Sequence, residues 1–306
     1  MKTKKFFLFL MFTFGGIHLV FAQNITITKR YKIDDNKIRG YYPVLSTNGD
    51  KVLFTSDSYK GLSLYDFNTK TVIKITDEEG AGYEPIFDES ESKIFYRKTS
   101  YQNNRKFEAI ESFDLNTKQK KEMISPQRTI RQLQPYHKGL LVSVDRKLLK
   151  ATFGKVQQEI PVYVCSEDLK LVIYKNGNRQ ELNPIAGEDV SYIWVSLSPD
   201  KTKILFTATT KGTFVCDLNG KIIASLGYLN APVWYDNDFV VGMQDKDDGH
   251  FITESKIIMM PLKLDKKHIL SLPNEIAMYP SASAKAKKVA YNTLDGIIQI
   301  VELDIK

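Results

Sequence analysis

Cysteine is almost missing: Cys165 and Cys216 are the only two in 306 residues. No disulfide framework can carry a fold on that supply, so stability must come from burial, which a chain of this length provides without staples. The two cysteines sit inside separate apolar segments, and packed free thiols are expected rather than a bridge. Histidine is scarce too. Outside the first residues only His137, His250 and His268 remain, scattered and without partners at ligand spacing, so no metal site and no cofactor are expected. No Gly-x-Ser-x-Gly elbow is present, and no other nucleophile–base arrangement stands out. After the N-terminus no long stretch has helical periodicity.

The first residues read differently. Met1-Lys2-Thr3-Lys4-Lys5 is basic, and apolar runs follow from Phe6 to Phe14 and from Ile17 to Phe21. The pattern is a signal peptide, with too short an apolar run for a membrane span. Val20-Phe21-Ala22 places small-enough residues for cleavage after Ala22. Residues 1–22 are therefore expected to be a cleavable leader and 23–306 a single domain, periplasmic or secreted, with no transmembrane span once the leader is gone. Losing the three leader lysines lowers the net charge from +7 to +4. So small and dispersed a surplus excludes a nucleic-acid stripe. The densest basic runs, Lys118–Lys121 and Lys285–Lys288, fall at turns.

What the chain has in quantity is a repeat. Extended segments open at Tyr42-Pro43, Glu84-Pro85, Gln134-Pro135, Trp194-Val195, Ala231-Pro232 and Tyr279-Pro280, at steps of roughly 42, 50, 60, 37 and 48 residues, the range of propellers and solenoids. The first copy shows the grammar. Tyr42–Ser46 is a strand, Thr47-Asn48-Gly49-Asp50 a turn, Lys51–Thr55 a strand, Gly61–Asp66 a strand and Thr71–Ile75 a strand. Four short strands joined by tight turns make an antiparallel meander. Such a sheet exposes two apolar faces and needs a neighbour on each, which a radial arrangement supplies. An all-β, six-bladed propeller is expected, with seven blades as the alternative, because the third copy is long and carries two candidate strand sets. The last copy is one strand short. Ile25–Ile33 alternates like a strand and is expected to close the ring as the missing outer strand.

The pattern Pro43 through Lys70, and again Ser196 through Lys221, resembles the TolB-like, WD40-like propeller repeat, and the resemblance covers nearly the whole chain after the leader. It implies an exported protein and a platform for binding other proteins. On that footing the chain is expected to be a monomeric, non-enzymatic scaffold binding an envelope protein or peptide. The alternatives are a carbohydrate-binding module and a hydrolase or lyase with an unrecognised site on the axis, where His137 is the residue to watch. Tyr42, Tyr83, Tyr136, Trp194, Trp234 and Tyr279 all lie within two residues of a blade opening and form the candidate ligand-binding rim. Packing between blades would use the same residues. Asp245-Lys246-Asp247-Asp248-Gly249 is oxygen-rich like a calcium loop, but Lys256 stands where the terminal Glu belongs, so a solvated hairpin tip is expected.

Overall fold

Short runs of β-branched and aromatic residues, punctuated by Asn, Asp and Gly turns, become strands throughout. The computed structural model has 26 strands and no helix among its described residues, which are 24–33, 38–155, 161–187, 190–263 and 266–305. No described helix is long and apolar enough to cross a membrane. The expected leader, residues 1–22, lies outside the described residues.

The strands form seven sheets in a ring. Blade I holds Tyr41–Leu45, Lys51–Thr55, Leu62–Asp66 and Thr71–Thr76. Blade II holds Ile86–Phe87, Lys93–Gln102, Arg105–Asp114 and Lys120–Gln127. Blades III (Gln134–Tyr136, Gly139–Val144, Lys147–Thr152) and IV (Tyr163–Glu167, Lys170–Lys175, Asn178–Leu182) have three strands each. Blade V holds Tyr192–Leu197, Lys203–Ala208, Gly212–Asp217 and Ile222–Gly227. Blade VI holds Asn230–Trp234, Phe239–Asp247, Ile252–Pro261 and His268–Ile269. Blade VII holds Ala277–Ser283, Lys288–Thr293 and Ile298–Ile305, with Ile25–Lys32 paired antiparallel to the last of these as its outer strand.

The pleat explains the ring. Successive side chains point to opposite faces, and each face is buried by a different neighbour. In blade II, Ile94 and Tyr96 pack on Leu53, Leu64 and Ile75 of blade I. Phe95, between them in sequence, packs on Leu140 and Val142 of blade III. Each such side chain contributes about 1.5–3 kcal/mol by leaving water. Cys165 and Cys216 are free thiols buried in two such seams.

The expectation of six blades is overturned: the third copy divides into blades III and IV. The upper rim, where the opening strands begin, shows why. There, a backbone N–H at the start of a blade donates to a carbonyl in the upper turn of the preceding blade. Gly40 N–H reaches the Gly296 carbonyl at 2.8 Å, Gly82 reaches Tyr59 at 3.0 Å, and Tyr192 reaches Leu169 at 2.8 Å. Tyr59 and Gly296 lie between the second and third strands of their blades, but Leu169 lies between the first and second strands of blade IV. Blade IV's first described strand therefore fills the second position of an ordinary blade. Asp168, in the same turn, confirms its placement by pairing with Arg131 at 2.7 Å and Arg146 at 2.8 Å, both from the upper end of blade III.

Pro opens five of the six segments, four of them for a shared local reason. In five blades the residue just before the Pro, or before Val195 in blade V, has a left-handed backbone: Tyr42 (φ 53°), Glu84 (49°), Trp194 (49°), Ala231 (43°) and Tyr279 (52°). Where the ladder continues on both sides, the register shifts at this residue. It is a β-bulge, and proline is tolerated there because the ladder needs no N–H. The described residues of blade IV contain no such bulge in their first strand.

Closure can be tested directly. Deleting residues 24–33 bares the Ile298–Ile305 edge and uncovers the half-buried Ile25 and Ile27 contacts of the adjoining core. Calorimetry should show Tm falling by roughly 10 °C; an unchanged melt would mean the outer strand does not hold the ring.

Candidate functional site: the aromatic upper rim

The bulges place their side chains at the mouth of the central channel. Tyr279 of blade VII and Tyr42 of blade I lie 4.4 Å apart, ring centre to ring centre. Tyr42 stacks on Tyr59 at 4.1 Å and 27°. Tyr59 meets Tyr83 of blade II edge-on at 5.4 Å. Four rings from three blades thus form one continuous ridge. The backbone beneath it is held from the neighbouring blade, since Tyr42 N–H donates to Asn292 Oδ1 at 3.0 Å. Asn292 is fully buried, so the strained residue is braced by a rigid partner.

The ridge stays uncharged at physiological pH. Burial raises the Tyr42 and Tyr59 hydroxyls above the ordinary phenol range and lifts Tyr279 to about 12. Tyr83 is raised first by the adjacent Glu84 carboxylate and then by burial. Glu84 is exposed at the rim. Desolvation by its neighbours pushes its carboxyl up, Arg97 opposes that shift, and Glu108 adds to it.

Arg97 fastens blade II to blade III. It is buried, and its guanidinium donates to the Ile130 carbonyl at 3.2 Å, the Arg131 carbonyl at 2.8 Å and Glu108 Oε2 at 3.3 Å. Its carbon centre lies 5.4 Å from the Tyr83 ring. At the opposite end of the ridge, Asp245 accepts from Asn230 Nδ2 at 3.0 and 3.3 Å and from the Tyr228 hydroxyl at 3.5 Å. Burial raises its carboxyl as well.

Of the six aromatic residues expected at the rim, Tyr42, Tyr83 and Tyr279 come together. Trp194 stands on the same rim in blade V and is 38% exposed. Trp234 does not reach the rim: it is half-buried between blades V and VI, donating from Nε1 to the Ser196 carbonyl at 3.4 Å. Tyr136 is buried at the far end of its strand, edge-on to His137 at 4.5 Å. His137 lies in the lower turn of blade III, with Nδ1 3.8 Å from Glu89, and not at the upper mouth. The acidic loop splits. Asp245 belongs to the rim, while Asp247 and Asp248 accept backbone N–H groups within their own hairpin tip. No group of three His, Cys, Asp or Glu side chains is placed to hold a metal among the described residues.

Tyr59 was invisible to reasoning from blade openings, because it lies in the turn after the second strand. The signal available was a bulky ring in Asp57-Ser58-Tyr59-Lys60-Gly61, at a left-handed position (φ 61°) where Asn or Gly would be usual.

Fold and rim together define a β-propeller with an aromatic mouth. No family model and no curated protein matches the chain. Solved structures do match it in fold. An oligogalacturonate lyase from Vibrio parahaemolyticus is 11% identical, covering 92% of this chain and 97% of its own, with a TM-score of 0.53. The β-propeller domain of the Trilobed protease from Pyrococcus furiosus is 11% identical over 87% of this chain and 95% of its own, with a TM-score of 0.56. The WD40 repeats of RRP9 are 8% identical over 92% of this chain and 100% of their own, with a TM-score of 0.63. At such identities these likenesses show the propeller fold alone.

Two measurements separate rim from core. Tyr136→Ala should cost about 3–5 kcal/mol in denaturant melts, as a buried ring does, whereas Trp194→Ala should stay within about 0.5 kcal/mol. Asp245 adds a pH signature. Its carboxyl is raised in the folded chain, so the folded state binds this proton more tightly than the unfolded state. The resulting stability is present in acid and is lost as pH rises from the ordinary aspartate range through the raised value. Asp245→Asn should therefore raise Tm at pH 7.5, and the gain should shrink toward pH 4. A gain that does not change with pH would contradict the assignment.

Proposed function

We propose that the chain is an exported, non-enzymatic propeller scaffold whose upper rim binds a protein or peptide partner in the cell envelope. The distribution of exposed apolar surface carries this reading. Among the described residues thirteen large hydrophobic side chains are exposed. Eight of them stand on the upper rim, Tyr83, Trp194, Tyr228, Phe251, Leu272 and Leu294 included, and the other five lie on outer strands. None lies in a lower turn.

The lower rim is occupied differently. Its turns stitch blade to blade through polar groups: Asn48 N–H and Nδ2 donate to Glu91 at 2.9 and 2.7 Å, and Asp200 N–H donates to Asn237 at 3.0 Å. An apolar, aromatic patch confined to one face is what a recognition surface requires. Two long hairpins, Lys93–Asp114 of blade II and Phe239–Pro261 of blade VI, rise from the same rim. They carry exposed Tyr101 and Phe251 near their tips and flank the tyrosine ridge of blades VII and I. The resemblance of its repeats to the TolB-like, WD40-like pattern fits this reading.

A glycan-binding reading draws support from the ridge itself, since stacked tyrosines and an exposed Trp194 would also receive sugar rings. The lyase reading gains nothing from the geometry: His137, His250 and His268 sit on a lower turn, a hairpin tip and an outer strand.

Photo-crosslinking from single positions in envelope extract tests the proposal. A crosslinker at Tyr83 or Leu294 should give a discrete, protease-sensitive adduct, and one at Asn116 in a lower turn should not. An adduct from Asn116 alone would move the site to the other face. Protease-resistant adducts together with a positive glycan array would favour sugars.

A further inference from the structure

Resting on the rim reading above, we infer that the partner is an extended polypeptide segment that places a lysine or arginine side chain against Glu84. Five bulge residues encircle the upper mouth, and Glu84 is the only charged one among Tyr42, Trp194, Ala231 and Tyr279. It follows directly on the exposed ring of Tyr83, where the tyrosine ridge ends. An exposed carboxylate beside an exposed aromatic ring is suited to a cationic side chain. The ring quadrupole and the carboxylate both attract the same charge.

The cations around this position are already engaged. Arg97 bonds to Glu108 and to two backbone carbonyls. Lys106 pairs with Glu108 at 2.9 Å, and Lys98 pairs with Glu78 at 2.9 Å and Glu111 at 3.4 Å. Arg131 pairs with Asp168. None of these ion pairs includes Glu84, which is exposed at the rim. A partner cation would find its counter-charge already in place, with no resident cation to displace. At the far end of the ridge, Asp245 has only the neutral donors Asn230 and Tyr228, so a second positive group on the same segment would also be accommodated.

The probe is a displayed library of random dodecapeptides, panned against the whole described chain. Binders displaced by Trp194→Ala define the upper rim. They should share a Lys or Arg at one recurring position, and Glu84→Gln should weaken them tenfold or more without lowering Tm. Replacing that Lys in the best peptide with norleucine should cost a similar factor. Glu84→Gln should then cost nothing further, a coupling that a merely structural role for Glu84 would not produce. Upper-rim binders lacking the cation, or equal affinity for Glu84→Gln, would overturn this inference and leave the rim reading standing. Recovery of no binder sensitive to Trp194→Ala would count against both.

Discussion

Among the described residues, the inner strands of every sheet are buried on both faces. Because side chains alternate along each strand, a blade buries one set of residues against the blade before it and the other set against the blade after it. Phe95 and its neighbours Ile94 and Tyr96 are the plainest instance, three consecutive residues divided between two cores. A blade without both neighbours would expose one of these sets, so the array must return on itself. The stitches across the seam between blades VII and I follow from that requirement: Leu45 N–H donates to Ser281 Oγ at 2.9 Å, and Lys288 Nζ reaches the Gly49 carbonyl at 2.9 Å.

Most of this was legible in the chain. Turn residues and strand residues were written into the first copy clearly enough to place its four strands within a residue or two, and the incomplete last copy pointed to the N-terminal segment as its completion. The blade count was not legible, because the marker used for counting marks something else. Four of the five X-Pro pairs record a left-handed bulge in an opening strand, and Gln134-Pro135 does not. The first described strand of blade IV fills the second strand position, and it contains no bulge to record. Its first strand, Tyr163–Glu167, is preceded by Pro161, but that proline lies before the strand and outside any bulge.

Polar chemistry compensates at that irregular place. Glu167 is buried and accepts from Ser143 Oγ at 2.5 Å, the Tyr174 hydroxyl at 2.7 Å and Arg179 Nε at 2.8 Å, with Tyr163 donating to the Gln132 carbonyl at 2.6 Å. The Ser143 and Tyr163 bonds join blades III and IV where the regular pattern is interrupted, and the Tyr174 and Arg179 bonds anchor Glu167 within blade IV. Single-residue cues could not foretell such a network, since each member alone reads as an ordinary strand residue. The rim was half legible for a similar reason. Proximity to a blade opening found Tyr42, Tyr83 and Tyr279, but it equally selected Trp234 and Tyr136, which sit further along their strands and face the cores. Depth along the opening strand separates the two groups, and only three-dimensional register reveals it.

The first and last described strands meet in blade VII, where Thr28 donates to the Glu302 carbonyl across a separation of 274 positions. A contact that remote in sequence is entropically the most demanding to form. Six sheets can assemble from local hairpins while the seventh waits with one margin bare. During that interval the unfinished ring is an open arc, ready to accept the N-terminal strand of a second molecule in place of its own. Strand exchange between two such arcs is the misassembly this topology permits, and dilution disfavours it.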